Sequence, residues 1–244
     1  MNSIEEICNS EFKKLIDSEI FNQEFFENNE VEIKKIFNYI FILNYFKNRA
    51  ETKIYFNDNF KMTFSLILES SFALYTGQCR AALLLLRSAQ ETNFRFVLER
   101  ERESILQTDP SKSFEKLDYR FNDTKRKFLS DIDGFVSKIN FSEYYCTIER
   151  NLTLYKKLCG IVHSESTNIP VFNVNYYSNL NKDTILSKDD YFSLYTKTLN
   201  ELFALIFFML RDRLKQWDTY NLLDLLHLIY GNKKAKRYVG IVKK

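Results

Sequence analysis

The sequence predicts an all-α protein, folded as an antiparallel helical bundle. Only five glycines and two prolines occur in 244 residues, whereas sheets and their hairpins need turn residues at short intervals. Hydrophobic residues make up 45% of the chain and aromatic residues 16%, which is enough for one large core. We therefore expect a single helical domain over residues 1–244, with an N-terminal helical extension (1–50), a bundle (60–217), and a C-terminal helix with a basic tail (218–244).

The first half of the chain predicts short helices followed by a long helical hairpin. The segment Ile4–Asn48 is expected to form two or three short helices, because apolar residues recur at helical spacing at Ile36, Ile40, Leu43 and Phe46. Phe60–Tyr75 and Gln78–Ser104 then predict two long helices. Gly77 between them fits the left-handed residue that ends a helix before an antiparallel turn. The alternative is a continuous helix through Gly77, which costs about 1 kcal/mol relative to alanine.

The middle of the chain predicts two further helices and a loop. A shorter helix is expected over Phe114–Phe128, and Ser142 is the expected N-cap of the next one. That helix is predicted to end at Gly160–His163, and it carries one apolar seam, Tyr145, Ile148, Leu152, Tyr155, Cys159 and Val162. Ser164–Leu186 is rich in asparagine and tyrosine and contains Pro170, so it predicts a loop.

The last third of the chain predicts two helices and a basic tail. Ser187 followed by Asp190 is a variant of the capping box and starts a long helix that we expect to reach Trp217. A final helix is expected over Tyr220–Tyr230, with Gly231 as the glycine that closes it.

The positive charge of the chain is concentrated in this tail. The formal net charge is only +3, which is weaker than a dedicated duplex-DNA binder usually shows. The segment Asn232–Lys244 contains no acidic residue and six basic ones, Lys233, Lys234, Lys236, Arg237, Lys243 and Lys244. Two interpretations are open: a solvated, disordered end, or an electrostatic arm that binds RNA or another polyanion.

Several classes of protein are disfavoured by what the sequence lacks. The four cysteines have no C-x-x-C spacing, which argues against a secreted disulfide scaffold. Met1–Glu6 lacks the pattern of a signal peptide, and the most apolar run, Leu202–Leu210, is too short to span a bilayer. A cytoplasmic protein without a membrane segment is therefore expected. Cys79, Cys146 and Cys159 are expected to act as small hydrophobic residues of helices.

The familiar catalytic motifs are missing as well. No phosphate-binding G-x-x-x-x-G-K-[ST] or G-x-G-x-x-G sequence occurs, and no G-x-S-x-G elbow. His163 and His227 are the only histidines, and neither belongs to a cluster with metal-ligand spacing. We expect no metal and no cofactor, and we interpret His227 as structural.

One helix combines an apolar character with buried charge. Within Tyr75–Arg95, the side chains of Arg80, Arg87 and Glu91 fall within about 40° of one another on a helix. They share that stripe with apolar residues, and most of the remaining surface of the helix is apolar too, which predicts burial. Charges in such a place must be paired or face a polar cleft. An ion-pair network that only fixes helix register is the alternative.

A second group of residues lies in Tyr155–His163. His163 is expected at the C-terminal end of its helix, where the helix dipole favours a protonated imidazole. The alternative is a capping or core histidine that donates to a backbone carbonyl. Lys156 and Lys157 lie close by, and Arg150 precedes His163 by thirteen positions.

These two segments resemble the HEPN (higher eukaryotes and prokaryotes nucleotide-binding) family of helical proteins. The resemblance lies in Gly77–Glu91 (GQCRAALLLLRSAQE) and, less specifically, in Tyr155–His163 (YKKLCGIVH), and it covers at most residues 60–215. It implies a four-helix bundle, frequent dimerisation, and often metal-independent RNA cleavage in toxin or antiphage systems. Nuclease members carry Arg and His separated by four to six residues on one helix, a distance at which this chain has Lys157.

Two functions follow as hypotheses. The first is a metal-independent endoribonuclease, a toxin or antiphage effector, in which His163 is general acid or base. Arg80 or Arg87 would stabilise the phosphate and Glu91 would orient the arginine, while RNA is held by Lys156, Lys157, Lys233, Lys234, Lys236 and Arg237. The second is a non-catalytic helical module that binds a partner protein, a second copy of the chain or RNA.

Overall fold

The computed structural model describes residues 3–18, 21–118, 120–132, 142–162 and 188–244. Across these ranges the chain forms eleven α-helices and one short 3-10 turn, and no strand. The predicted all-α class is therefore confirmed. No helix among these residues is both long and apolar enough to cross a bilayer.

The N-terminal section contains three helices, of which the third is longer than expected, and the remaining described residues form eight. In chain order they are α1 (Ile4–Ile16), α2 (Gln23–Glu27), α3 (Glu30–Asn48), α4 (Asp58–Tyr75), α5 (Cys79–Thr108), α6 (Phe121–Ile132), α7 (Ser142–Val162), α8 (Lys188–Met209), α9 (Arg211–Leu214), α10 (Thr219–His227) and α11 (Asn232–Val242), with the 3-10 turn at Lys53–Tyr55. One hydrophobic cluster contains residues from the first of these helices to the last.

Helix α8 lies at the centre of the core. Fifteen of its 22 residues are buried, so the helix has packing partners on most of its circumference. Helices α5 and α7 pack against it, and so does α3 from the N-terminal section. The rings of Phe46 and Phe203 stack with centroids 5.9 Å apart, and the Tyr39 hydroxyl donates to Asn200 Oδ1 at 3.3 Å. The first fifty residues thus contribute directly to the core.

Gly77 ends α4 in the left-handed conformation that the sequence predicts, with φ of 82°. Its N–H donates to the carbonyl of Leu74 at 2.9 Å, and the N–H of Gln78 donates to the carbonyl of Ala73 at 2.8 Å. These two bonds define a Schellman motif, which satisfies carbonyl groups at the helix end. The continuous helix considered as the alternative is therefore wrong.

Replacing Gly77 by alanine should lower the free energy of unfolding by about 1–2 kcal/mol, because a Cβ is disfavoured in the left-handed region. The matched control is Gly240→Ala in α11, where an added Cβ meets nothing within 4 Å. That change should raise stability through helix propensity. Urea unfolding of both variants measures the difference, and equal effects of the two changes would contradict the assignment.

Two helix boundaries differ from the prediction in the second half of the chain. The expected helix over Phe114–Phe128 begins only at Phe121, because side chains of α5 and of α6 itself bind the preceding backbone. Arg102 Nη1 donates to the carbonyl of Glu115 at 2.9 Å, and Lys127 Nζ donates to the carbonyl of Lys116 at 3.0 Å. The predicted loop Ser164–Leu186 lies outside the described residues.

The long helix expected to reach Trp217 is interrupted after Met209. Leu210 has φ of −82° and ψ of 3°, and its carbonyl accepts from Arg213 N at 3.0 Å. A bond between residues three apart tightens the turn and changes the direction of the chain. The short helix α9 follows.

The basic tail is a folded helix, which corrects both the predicted position of Gly231 and the prediction of a disordered end. Gly231 has φ of −66° and is the N-cap of α11 instead of closing α10. In α11 four apolar residues at helical spacing are buried: Ala235, Tyr238, Val239 and Val242. The high charge of the segment hid this pattern. Lys233, Lys236 and Arg237 are exposed on a helix that belongs to the core.

Candidate functional site

Helices α5 and α7 pack against each other in antiparallel register. Gln90 on α5 donates from Nε2 to the backbone carbonyl of Asn151 at 2.9 Å and to its Oδ1 at 3.1 Å. Asn151 Nδ2 in turn donates to the carbonyl of Glu201 on α8 at 2.8 Å. These buried amide bonds fix the register of α5, α7 and α8. The two segments that carry the HEPN resemblance therefore face each other as far as Val162.

One turn of helix from this contact, Arg87, Glu91 and Tyr155 form a closed hydrogen-bonded triad. Arg87 Nη2 donates to Glu91 Oε1 at 3.0 Å and to the Tyr155 hydroxyl oxygen at 3.2 Å. The Tyr155 hydroxyl donates to the same Glu91 Oε1 at 2.6 Å. The phenol ring is held in place by Phe121 of α6, whose ring centroid is 4.3 Å away. We call these three residues the α5–α7 triad.

The α5–α7 triad lies at the edge of the core, within reach of solvent. The side chains of Arg87 and Glu91 are 20% and 30% exposed. Burial raises the pKa of Tyr155 and the hydrogen bond to the Glu91 carboxylate raises it further, so the phenol is a proton donor at neutral pH. Burial lowers the pKa of Arg87, but the hydrogen bond to Tyr155 and the charge of Glu91 outweigh it and leave that pKa above its usual value. The arginine therefore stays cationic.

The predicted stripe of Arg80, Arg87 and Glu91 is a half-exposed edge and not a fully buried face. Arg87 and Glu91 are paired, as charges in a largely apolar helix must be. Leu84, which lies between the two arginines, is 43% exposed. Arg80 is half-buried, and it precedes Arg87 by two turns. In the antiparallel register this places Arg80 beside the last turn of α7.

The residue on which the catalytic hypothesis depends most, His163, lies outside the described residues. It directly follows Val162, the last residue of α7. The side chains of Lys156 and Lys157, which were predicted to contact RNA, are exposed on the same helix.

The basic residues predicted to bind RNA do not form one surface. Arg237 on α11 lies 3.2 Å from Glu143, at the N-terminal end of α7, whereas Lys156 and Lys157 follow thirteen and fourteen residues later. Thirteen residues of helix correspond to roughly 20 Å. Lys233, Lys236 and Arg237 are exposed on α11. They are therefore distant from the α5–α7 triad along the axis of α7.

Lys234 differs from its basic neighbours because it is half-buried. Its Nζ donates to Asn200 Oδ1 at 2.8 Å and lies 4.0 Å from the ring centroid of Tyr230. Burial and the nearby charges of Arg150 and Arg237 lower the pKa of Lys234 to about 8, against the opposing effect of Glu201 and Glu143. This lysine contributes to the packing of α11 on α8.

Arg150 is likewise paired with acidic residues of the bundle, although its side chain is 41% exposed. Its Nε donates to Glu201 Oε2 at 2.9 Å, and its Nη2 donates to Glu143 Oε1 at 2.9 Å. Its guanidinium therefore binds the acidic residues between α7 and α8 and lies outside the α5–α7 triad.

Sequence reasoning missed the role of Tyr155, which was treated only as a position in the apolar seam. A signal was present: a tyrosine buried on a helix needs a partner for its hydroxyl, and the seam faces a helix that carries Arg87 and Glu91. Cys146 is also different from the prediction, because it is exposed and not packed among apolar residues. None of the four cysteines forms a disulfide bond, and His227 is exposed at the end of α10.

No group of three or more metal-ligating side chains occurs within the part of the chain that the structure describes. Comparison of the chain with protein-family models, with curated proteins and with solved structures gives no match.

Proposed function

We propose that this protein binds RNA at the edge between α5 and α7 and cleaves it without a metal ion, as a toxin or antiphage effector. The observation that carries the proposal is the α5–α7 triad. Its arginine, glutamate and tyrosine are partly exposed, whereas Gln90 and Asn151, which join the same two helices, are buried. Fixed donors in a partly desolvated place stabilise the charge that develops on a phosphate during cleavage.

Each member of the site has a role in this proposal. Arg87 binds a phosphate oxygen through Nη1, which donates to none of the described residues, and Glu91 holds the guanidinium in that position. The Tyr155 hydroxyl donates its one proton to Glu91 and so helps to hold the carboxylate in place. Arg80 extends the positive charge along α5 towards the end of α7. His163 is the acid or base at the ribose 2′-hydroxyl, since an imidazole titrates near neutral pH.

The test is cleavage of labelled total RNA and transfer RNA by the purified protein in EDTA. Arg87→Gln should reduce the rate by about 10²–10³-fold, as for removal of a transition-state donor. His163→Ala should reduce it by about 10²–10⁴-fold. The control is Arg95→Gln, since Arg95 and Glu99 form a second pair of the same spacing on α5, with Nε and Oε1 3.2 Å apart. This variant should keep full activity.

A non-catalytic binding module is the second candidate, and the closure of the α5–α7 triad favours it. Because Arg87, Glu91 and Tyr155 already satisfy one another, the three residues also serve as a clamp between α5 and α7. The protein would then bind a partner protein, a second copy or RNA through other surfaces. In that case wild type leaves RNA intact, and Arg87→Gln lowers the melting temperature more than Arg95→Gln does.

A further inference from the structure

A cavity of about 690 Å³ opens between the start of α1, the end of α3 and the segment that joins α9 to α10. It is distinct from the α5–α7 triad. The wall of the cavity includes Arg213, which lies two residues after Arg211. Arg211 binds Glu101 on α5, and Glu101 lies fourteen residues after Arg87 on that helix. The two sites are therefore separated by roughly 20 Å along α5.

Two guanidinium groups line this cavity. Arg213 donates from Nε to the Tyr55 hydroxyl oxygen at 3.0 Å, and none of the described residues accepts from its two terminal nitrogens. The guanidinium of Arg49 lies 5.4 Å from the Trp217 ring centroid and 5.5 Å from that of Tyr45. The hydrogen bond with Tyr55 raises the pKa of Arg213, so this residue stays charged. Planar forks of this kind match the oxygens of phosphate.

Two helix N-termini lie at the same cavity. Ser3 and Ile4 at the start of α1, and Asp218 and Asn221 at the start of α10, are all part of its wall. A helix N-terminus presents N–H groups and a partial positive charge, which favour an anion. Ser3 Oγ and the Asp218 carboxylate each accept from one backbone N–H of their own helix. The first turn of α10 contains no acidic residue, whereas at α1 the Glu6 carboxylate accepts from the Ser3 N–H and offsets the positive potential.

The indole of Trp217 supplies a donor that lacks an acceptor. Its Nε1 is buried and has no hydrogen-bond partner among the described residues, although a buried donor left unpaired is costly. Since this nitrogen has no access to solvent, a bound molecule reaches it only after the indole turns towards the cavity. The apolar part of the wall includes Ile4 and Ile7, and Ile7 is 44% exposed. The cavity thus offers both donors for an anion and a surface for carbon atoms.

Three acidic residues, Glu51, Asp218 and Asp224, also line the cavity and would repel an anion if their charges were not engaged elsewhere. Glu51 is already paired with Arg49 at 3.1 Å, and the Asp218 carboxylate caps α10. Asp224 is the one carboxylate of the lining without such a commitment among the described residues. It suits a hydroxyl group of the ligand.

We propose that this cavity binds a small organic phosphate, with the phosphate on Arg213 and Arg49, and the carbon skeleton against Ile4 and Ile7. The proposal is independent of RNA cleavage, because none of these residues belongs to the α5–α7 triad. The site would make the protein responsive to a phosphorylated small molecule.

Trp217 is the only tryptophan of the chain, so its fluorescence reports on this cavity directly. Butyl phosphate at millimolar concentration should produce a saturable change, and butanol or chloride at matched ionic strength should not. Arg213→Gln should weaken the affinity by about tenfold or more, the loss expected for one charged hydrogen-bond partner. Arg126→Gln is the control, since that side chain is 74% exposed on α6, and it should leave the affinity unchanged. Calorimetry gives the affinities without a fluorophore.

Three results would overturn the proposal. The first is the absence of any saturable signal, in fluorescence and in calorimetry, with wild-type protein whose helical content is intact. The second is butyrate binding as tightly as butyl phosphate, which would make the site one for carboxylates. The third is inorganic phosphate binding as tightly as butyl phosphate, since the carbon skeleton would then contribute nothing.

Discussion

Replacing Arg211 by alanine should lower the free energy of unfolding by about 3–5 kcal/mol, because it leaves a buried carboxylate without its partner. Arg211 Nη1 and Nη2 donate to the two oxygens of Glu101 at 2.6 and 3.0 Å, and the Tyr144 hydroxyl donates to Glu101 Oε1 at 2.9 Å. The Glu101 side chain is only 3% exposed. Burial lowers the pKa of Arg211, but the charge of Glu101 and the hydrogen bonds to it outweigh this effect, so the arginine stays cationic.

Urea unfolding followed by circular dichroism measures this effect. The matched control is Arg126→Ala, which removes an exposed partner of Asp123 and should change stability by less than about 1 kcal/mol. A second variant, Glu101→Gln, keeps the shape of the side chain and removes only its charge. If Arg211→Ala proves no more destabilising than Arg126→Ala, the buried pair between α5 and α9 does not exist in solution.

The pair of Glu101 and Arg211 shows where sequence reasoning ends. The two residues are 110 positions apart, and each looks like an ordinary charge on a helix. Periodicity places a residue on a face of its own helix, but the face of another helix that it meets depends on how all the helices pack. For the same reason the sequence predicted the helices α4 and α5 closely and gave no indication that α3 packs on α8.

The α5–α7 triad was predictable in part. Arg87 and Glu91 are four residues apart on one helix, so their pairing follows from local geometry. Their contact with Tyr155 is a long-range fact that the sequence analysis did not predict. The position of Arg80 beside the end of α7 depends on the antiparallel register of α5 and α7. The buried amides of Gln90 and Asn151 fix this register, and the sequences of the two helices alone do not predict it.

The C-terminal segment was misinterpreted for a physical reason. A run of lysines indicates solvent exposure when charge is counted along the chain, yet a helix separates its residues onto different faces. Counted by face, Ala235, Tyr238, Val239 and Val242 form an apolar stripe on a helix of only eleven residues. An isolated helix of that length is marginal in water, so its order depends on what it packs against.

Replacing Tyr238 by alanine should therefore cost about 3–5 kcal/mol, as for other large aromatic residues removed from a core. The ring is fully buried, and its centroid lies 5.1 Å from that of Phe208 and 5.0 Å from that of Tyr230. Lys236→Ala, two residues away on the exposed face of α11, is the control and should change stability by less than about 0.5 kcal/mol. Urea unfolding of both variants separates the two interpretations of the segment. If the segment is a disordered arm, Tyr238→Ala should change the free energy of unfolding as little as Lys236→Ala does. If the segment is a helix of the core, only Tyr238→Ala should lower it strongly.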